Sequence, residues 1–220
     1  MWPGLCKCYR SALCLDACLT DRCARLNAFF VNSCSTGFFL KKEELKSAVF
    51  GSPPYNQPQP LPCLLNAIYL WGIALSASPI LSAQEPIFLS RSLSQIGIPS
   101  QHQDDVLQRV QAHILLSNYF MRSGHMSEGK SHSNAAMWFV MKGRFHKPAP
   151  APSSVPLGPG TTDPADKAVA FWAAFYLDKC WSILAALPSA CPDQRNATDA
   201  DRIDIPWPVD VNRPAPVSNL

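Results

Sequence analysis

Residues 100–120, SQHQDDVLQRVQAHILLSNYF, carry the strongest helical pattern in this chain. Apolar side chains recur there at a four-residue spacing in two series: Val106, Val110 and Ile114, then Leu116 and Phe120. This spacing gives a helix one apolar face. Ser100 and Gln103 form a capping-box pair, because the hydroxyl can accept the third amide while the Gln side chain reaches back. We therefore predict a helix that starts at Ser100 and stops at Gly124 in the left-handed conformation.

A partner helix is predicted directly after this turn, beginning at His125 or Ser127. Its inward-facing positions are predicted to be Ala135, Ala136, Phe139 and Val140. Two helices joined by only a few residues pack antiparallel. The sequence therefore predicts a helical hairpin at the centre of the chain.

Helices are also predicted on both sides of the hairpin. They cover residues 13–30, 41–50, 63–75, 85–96 and 163–187, the last opened by Asp163-Pro164-Ala165-Asp166 and ended by Pro188. The Pro-rich segments 52–62 and 147–162 are predicted to be loops. No useful strand alternation is present. We predict an all-α fold, an irregular array of about six or seven helices with Pro-rich loops.

The composition excludes several classes of protein. The chain has 220 residues, of which 47% are hydrophobic and 16% charged, so it can form a core. The net charge is only +3, and no basic stripe typical of a DNA-reading module is visible. Nine cysteines, an odd number, favour a reducing compartment. The start of the chain does not resemble a signal peptide, because Asp16 interrupts its apolar part.

Two apolar segments raise the question of a membrane. A spanning helix needs about 20 mostly apolar residues, and the dense part of the first segment covers only residues 63–75. The second segment, 168–187, carries Asp178 and Lys179 at its centre, where lipid would disfavour them. We expect two core helices and no membrane, with a small helical membrane protein as an alternative. Asp178 is expected to be partly buried and to accept hydrogen bonds from the amides of another segment.

The N-terminal cysteines are candidates for a thiolate site. They are Cys6, Cys8, Cys14, Cys18, Cys23 and Cys34. The spacing from Cys14 to Cys23 fits a zinc site loosely, but it also places Cys14 and Cys18 on one face of a helix as small buried hydrophobes. A thiol enzyme or metal-binding protein therefore stays a second alternative, although we expect no enzyme and assign no catalytic, cofactor or metal residue.

Two other side-chain groups leave alternatives open. His125 and His132, with Glu128 between them, share a helix face and could hold a metal, although ordinary surface positions are the simpler interpretation. Four aromatic residues of the last helix could line a pocket, but their helical spacing favours a filled core. They are Trp172, Phe175, Tyr176 and Trp181.

Five segments, taken in order, resemble a known family. They are GFFL at 37–40, LLNAIYLWG at 64–72, the hairpin segment that begins VQAHILL at 110–116, AFWAAFYLDK at 170–179 and IDIPWP at 203–208. Over about residues 25–210 the chain resembles the fungal-specific transcription factor regulatory domain, the middle homology region of fungal zinc-cluster transcription factors. The positions that carry the resemblance are Asn66, Trp71, Gly72, Gln111, Gly124, Ala136, Phe171, Trp172, Leu177, Asp178, Lys179, Asp204, Pro206 and Pro208.

The resemblance implies an all-α regulatory domain in the nucleus that controls transcription by RNA polymerase II. It implies a protein partner or small-molecule effector, a homodimer, and DNA contact only through a six-cysteine zinc cluster with Cys-x2-Cys pairs. The cysteines at positions 6–34 lack those pairs, so zinc is expected only in an upstream cluster of an intact family member.

The resemblance also implies an organisation along the chain. We expect a Cys-rich helical segment at 1–36, a partial regulatory domain at 37–210 and a tail at 211–220. Both ends are expected to be incomplete, which predicts a truncated product or a fragment.

Overall fold

The structure, a computed structural model, describes residues 12–50, 59–76, 78–98, 105–148 and 163–207. These residues form seven α-helices of nine or more residues, one single-turn α-helix and one 3-10 helix (Ser33–Thr36), with no strand among them. In chain order the helices are α1 (Ala12–Asn32), α2 (Lys42–Phe50), α3 (Pro62–Leu75), the single-turn α4 (Pro79–Ser82), α5 (Glu85–Ile96), α6 (Asp105–Arg122), α7 (Met126–Lys142) and α8 (Pro164–Ala185). The predicted all-α helical array is confirmed.

Helix α6 lies between two hydrophobic clusters and belongs to both. The first cluster joins α1, α2, α3 and α5 to one side of α6, through Ala112, Leu115, Leu116 and Phe120. The second cluster joins α7 and α8 to the other side, through Leu107, Val110 and Ile114. Because α6 is covered on both sides, its polar side chains are buried as well, and they form the contacts described below.

The helix ends follow the local chemistry of the sequence. Asp163 caps α8, since its Oδ1 accepts a hydrogen bond from the amide of Ala165 at 2.9 Å. Gly124 has a φ of +78° and ends α6, as predicted, and the His125 amide donates to the Phe120 carbonyl at 2.9 Å. The predicted capping box at residues 100–103 lies outside the described residues.

The predicted hairpin of α6 and α7 is confirmed, with α7 packed back along α6. Ala136 and Val140 are buried as predicted, whereas Ala135 and Phe139 are only partly buried. Ser133 and Met137 complete the inner face of α7, which is therefore rotated slightly from the predicted one.

Helix α8 is buried on one side only. Its inner face packs on α6 and α7 through Ala170, Phe171, Ala174, Leu177, Asp178 and Trp181. On its outer face, Tyr176 is 65% exposed and Ile183 is 82% exposed. The prediction of a core helix is correct for α3, because α1, α5 and α6 surround it. It is wrong for the outer face of α8, because α8 lies at the edge of the array.

By length and composition, α8 is the one helix of the described residues that could cross a membrane. Within its most apolar window, 33% of the residues are buried inside the protein. The buried positions include Asp178, whose partners are described below.

Candidate functional site

The motif positions lie where helices meet and where non-helical segments attach to them. Gln111, on α6, is fully buried and holds the segment 36–40. Its Oε1 accepts hydrogen bonds from the amides of Phe39 at 2.7 Å and Leu40 at 3.3 Å, and its Nε2 donates to the Gly37 carbonyl at 3.1 Å. Two helical turns later, Asn118 donates to the Thr36 carbonyl at 2.9 Å. Side chains on one face of α6 thus supply the hydrogen-bond partners for backbone amides and carbonyls of this segment.

Replacing Gln111 with Ala is expected to lower the free energy of unfolding by about 2–3 kcal/mol, because two amides and one carbonyl would lose their partner in a partly buried place. Gln108, on the same helix, accepts only one hydrogen bond, from the Leu61 amide at 2.7 Å. Its replacement with Ala should cost about 1 kcal/mol. Urea unfolding of both variants checks this order, and a smaller loss for Gln111 than for Gln108 would refute it.

Trp71 and Gly72 join α3 to two other helices. The Trp71 Nε1 donates to the Leu115 carbonyl of α6 at 2.8 Å, and its ring meets Tyr119 edge-on. At Gly72, a Cβ atom would lie 2.1 Å from the Arg25 carbonyl oxygen of α1. The backbones of α1 and α3 therefore touch, and only glycine fits at this crossing.

Tyr119 continues the contact toward α5. Its hydroxyl donates to Glu85 Oε2 at 2.9 Å. Burial, and then the hydrogen bond to this carboxylate, raise the pKa of Tyr119 to about 12. The motif residue Asn66 makes a second joint with α5, since its Nδ2 donates to Gln95 Oε1 at 2.8 Å.

Three residues bring α6, α7 and α8 together. The fully buried Trp181 donates from Nε1 to the Ser117 hydroxyl at 2.7 Å, and that hydroxyl donates to the Gly129 carbonyl at 2.8 Å. A Cβ atom at Gly129 would lie 2.4 Å from the Trp181 ring. Sequence analysis missed the role of Ser117, because a lone serine in a helix carries no pattern.

Asp178 is the most heavily hydrogen-bonded carboxylate of the described residues, and it is fully buried on α8. Its Oδ1 accepts from Lys130 Nζ of α7 at 3.0 Å and from the Ala190 amide at 2.9 Å. Its Oδ2 accepts from the Cys191 amide at 3.2 Å and from the Ser189 hydroxyl. The prediction that Asp178 accepts from the amides of another segment is confirmed, although the side chain is more deeply buried than predicted.

The pKa of Asp178 reflects two opposing causes. Burial raises it, while the hydrogen bonds from Ser189, Ala190, Lys130 and Cys191 lower it, and the net direction is down. Asp178 is therefore ionised at neutral pH. The neighbouring Lys179 points away from the core, where its Nζ donates to the Ser189 hydroxyl at 2.6 Å and lies 4.7 Å from the centre of the Phe175 ring.

The segment 199–207 lies across the ends of α7 and α8. Lys147 pairs with Asp204 Oδ2 at 2.7 Å, and the Asp204 amide donates to the His146 carbonyl at 3.0 Å. The Trp172 Nε1 donates to the Pro206 carbonyl at 2.8 Å, and its ring lies 4.7 Å from that of Trp207. Trp172 and Pro206 thus attach this segment to α8, and Asp204 attaches it to the turn after α7, while Pro208 lies outside the described residues.

The remaining motif positions and aromatic residues divide between core and surface. Ala136, Phe171 and Leu177 are buried in the second cluster. Of the four aromatic residues predicted to fill a core, Trp181 does so, Trp172 and Phe175 are half-buried, and Tyr176 is exposed. The prediction is therefore wrong for Tyr176, because its position faces outward at the edge of the array.

The proposed grouping of His125, Glu128 and His132 does not form. His125 and Glu128 are exposed, while His132 faces His113 of α6 with a distance of 2.9 Å between their Nδ1 atoms. Within residues 12–50, 59–76, 78–98, 105–148 and 163–207, no group of three or more His, Cys, Asp and Glu side chains could hold a metal ion. Cys6 and Cys8 lie outside those ranges, and Cys34 is exposed as a free thiol.

The site is thus a set of polar anchors that attach three segments to the α6–α8 core: 36–40 and 189–191 through the buried Gln111 and Asp178, and 199–207 through exposed hydrogen bonds. Their partners are backbone groups and neighbouring side chains, an arrangement that fixes shape.

Residues 26–213 match the family described as the fungal specific transcription factor domain. Comparisons with curated proteins and with solved structures gave no match. Because the family match covers most of the 220 residues, the chain belongs to the fungal specific transcription factor domain family.

Proposed function

We propose that this chain acts in the nucleus as the regulatory domain of a fungal transcription factor that controls transcription by RNA polymerase II. The observation that carries the proposal is the family match over residues 26–213. In this proposal the domain binds a protein partner or a small-molecule effector and performs no chemistry. A second copy of the chain is one such partner.

The arrangement of the anchors supports a regulatory role. Asp178 connects α7, α8 and the segment 189–191 through a single carboxylate. Trp172 of α8 holds the segment 199–207 through the Pro206 carbonyl. A ligand that binds one arrangement of these segments better than another would shift the population between them, which is how a switch works.

DNA contact belongs to another part of the protein in this proposal. The net charge of +3 gives no basic stripe, and the cysteines at positions 6–34 lack Cys-x2-Cys pairs. Zinc would be required only by a six-cysteine cluster of the kind that the family uses to bind DNA.

Rapid depletion of the protein in its host cell, followed by sequencing of nascent RNA, tests the proposal. We expect a defined set of RNA polymerase II transcripts to change within minutes, while ribosomal and transfer RNA synthesis stay constant. Exclusion of the protein from the nucleus, or unchanged nascent transcripts after depletion, would refute it. A depletion tag on a strain with a second, untagged gene copy is the matched control.

A further inference from the structure

The side chains of His113 and His132 join α6 to α7 through a hydrogen bond between their rings, in surroundings that disfavour a positive charge. With 2.9 Å between their Nδ1 atoms, one ring donates and the other accepts, so the accepting imidazole is neutral and at most one of the two rings can be charged while this hydrogen bond exists. The Phe120 ring stacks on His132 at 5.5 Å, with an angle of 13° between the planes. The Phe139 ring lies 5.6 Å from His113 on the other side.

The charged group that faces the pair is a cation. Arg109, one helical turn before His113 on α6, is buried, and its guanidinium donates to the Ile98 carbonyl at 2.6 Å, beyond the end of α5. Helix α7 contributes His132 itself and Phe139, and the carbonyls of Ile96 and Ile98 accept hydrogen bonds from Arg109. Among the described residues, no carboxylate forms a hydrogen bond or an ion pair with either imidazole.

We propose that the His113–His132 pair makes the α6–α7 hairpin an acid-sensitive element, which opens when the surroundings become mildly acidic. In the closed state a second proton at the accepting Nδ1 would break the hydrogen bond, and a charge on either ring would stand beside Arg109 with no carboxylate of the described residues in contact with it. In an opened state both rings reach water and take up protons. Acid therefore favours the opened state, and the proposal holds for the isolated domain whether or not its function in transcription is confirmed.

The direction of the effect agrees with the titration of the two rings. Burial, then the facing His132 and Arg109, lower the pKa of His113 to about 3, and burial lowers the pKa of His132 to about 4. An exposed histidine has a pKa of about 6.5. The stability that the neutral pair contributes is thus complete above pH 6.5 and is lost as the pH falls toward 4.

The size of the effect follows from the number of protons taken up. Between pH 7.5 and pH 5.5, each exposed ring shifts the opening equilibrium about tenfold, so two rings shift it about 100-fold. Asp178, Asp193 and Asp204 do not contribute in this window, because their pKa values are lowered from the ordinary value of 3.8.

Amide hydrogen exchange of the full chain at pH 7.5 and pH 5.5, corrected for the intrinsic exchange rates, measures this opening. We expect the opening constant of the α6–α7 amides to rise about 100-fold in the wild-type protein and about tenfold in His132→Leu. In the double variant H113L/H132F the rise should disappear. His125→Gln alters an exposed histidine of the same hairpin and should keep the full 100-fold rise.

A 100-fold rise in the double variant, or its absence in the wild-type protein, would overturn the proposal. Should the double variant fail to fold, the nitrogen chemical shifts of the wild-type imidazoles decide instead. Both rings should remain neutral at pH 5.5, one carrying its proton on Nδ1 and the other on Nε2. A midpoint above pH 6 for either ring in the folded protein would contradict the proposal.

Discussion

Replacing Asp178 with Ala is expected to lower the free energy of unfolding by about 3–5 kcal/mol, a large part of the total for a domain of this size. The substitution leaves the buried Lys130 ammonium without its carboxylate at 3.0 Å. It also removes the acceptor of the Ala190 and Cys191 amides. Urea unfolding followed by circular dichroism at pH 7 measures the loss.

Two further variants distinguish the stability lost with the buried Asp178–Lys130 pair from the stability lost with any ion pair. Asp204→Ala removes an ion pair with Lys147 whose carboxylate side chain is 40% exposed, and it should lower the free energy of unfolding far less than Asp178→Ala, because solvent screens an exposed ion pair. A double variant, Asp178→Leu with Lys130→Met, removes both charges and should recover part of the loss. If Asp178→Ala cost as little as Asp204→Ala, the buried network would not stabilise the domain.

Replacing Gly72 with Ala is expected to destabilise the protein by about 3 kcal/mol. The new Cβ would lie 2.1 Å from the Arg25 carbonyl oxygen, and the contact is with backbone, so no side chain can rotate away. Helices α1 and α3 would have to separate along their crossing, which would loosen the first hydrophobic cluster. A lower midpoint in thermal and urea unfolding checks this expectation.

Gly97 provides the matched control for Gly72. It follows α5 with a φ of −80°, and a Cβ atom there would meet nothing within 4 Å. Gly97→Ala should therefore be neutral or stabilise the protein by up to about 1 kcal/mol, because it restricts the unfolded chain. Equal losses of unfolding free energy in Gly72→Ala and Gly97→Ala would show that the backbones of α1 and α3 do not touch at Gly72.

The helices could be predicted from the sequence because their signals are local. The start of α5 with Pro86 in its first turn, the Asp163 cap of α8 and the left-handed Gly124 all depend on neighbouring residues. Asp178 could be predicted as an acceptor for amides, because a carboxylate in an apolar helix needs donors.

The partners across the fold could not be predicted, since they depend on how helices rotate against each other. Lys130 lies 48 residues from Asp178, and His113 lies 19 residues from His132. From the spacing along one helix, the sequence suggested His125 as a neighbour of His132 and ordinary surface positions as the simpler interpretation, whereas His132 is partly buried against His113. The exposed outer face of α8 was also missed, because a composition that is apolar all round does not show which side stays uncovered.

Tethering the full chain to a heterologous DNA-binding module upstream of a reporter gene tests the central claim, that this domain regulates transcription. Reporter RNA is measured against the module alone, with Asp178→Ala, expressed at the same level, as the destabilised control. We expect the wild-type chain to change reporter transcription several-fold and the variant to lose most of this effect. A folded, nuclear wild-type chain that leaves the reporter at the level of the module alone would contradict it.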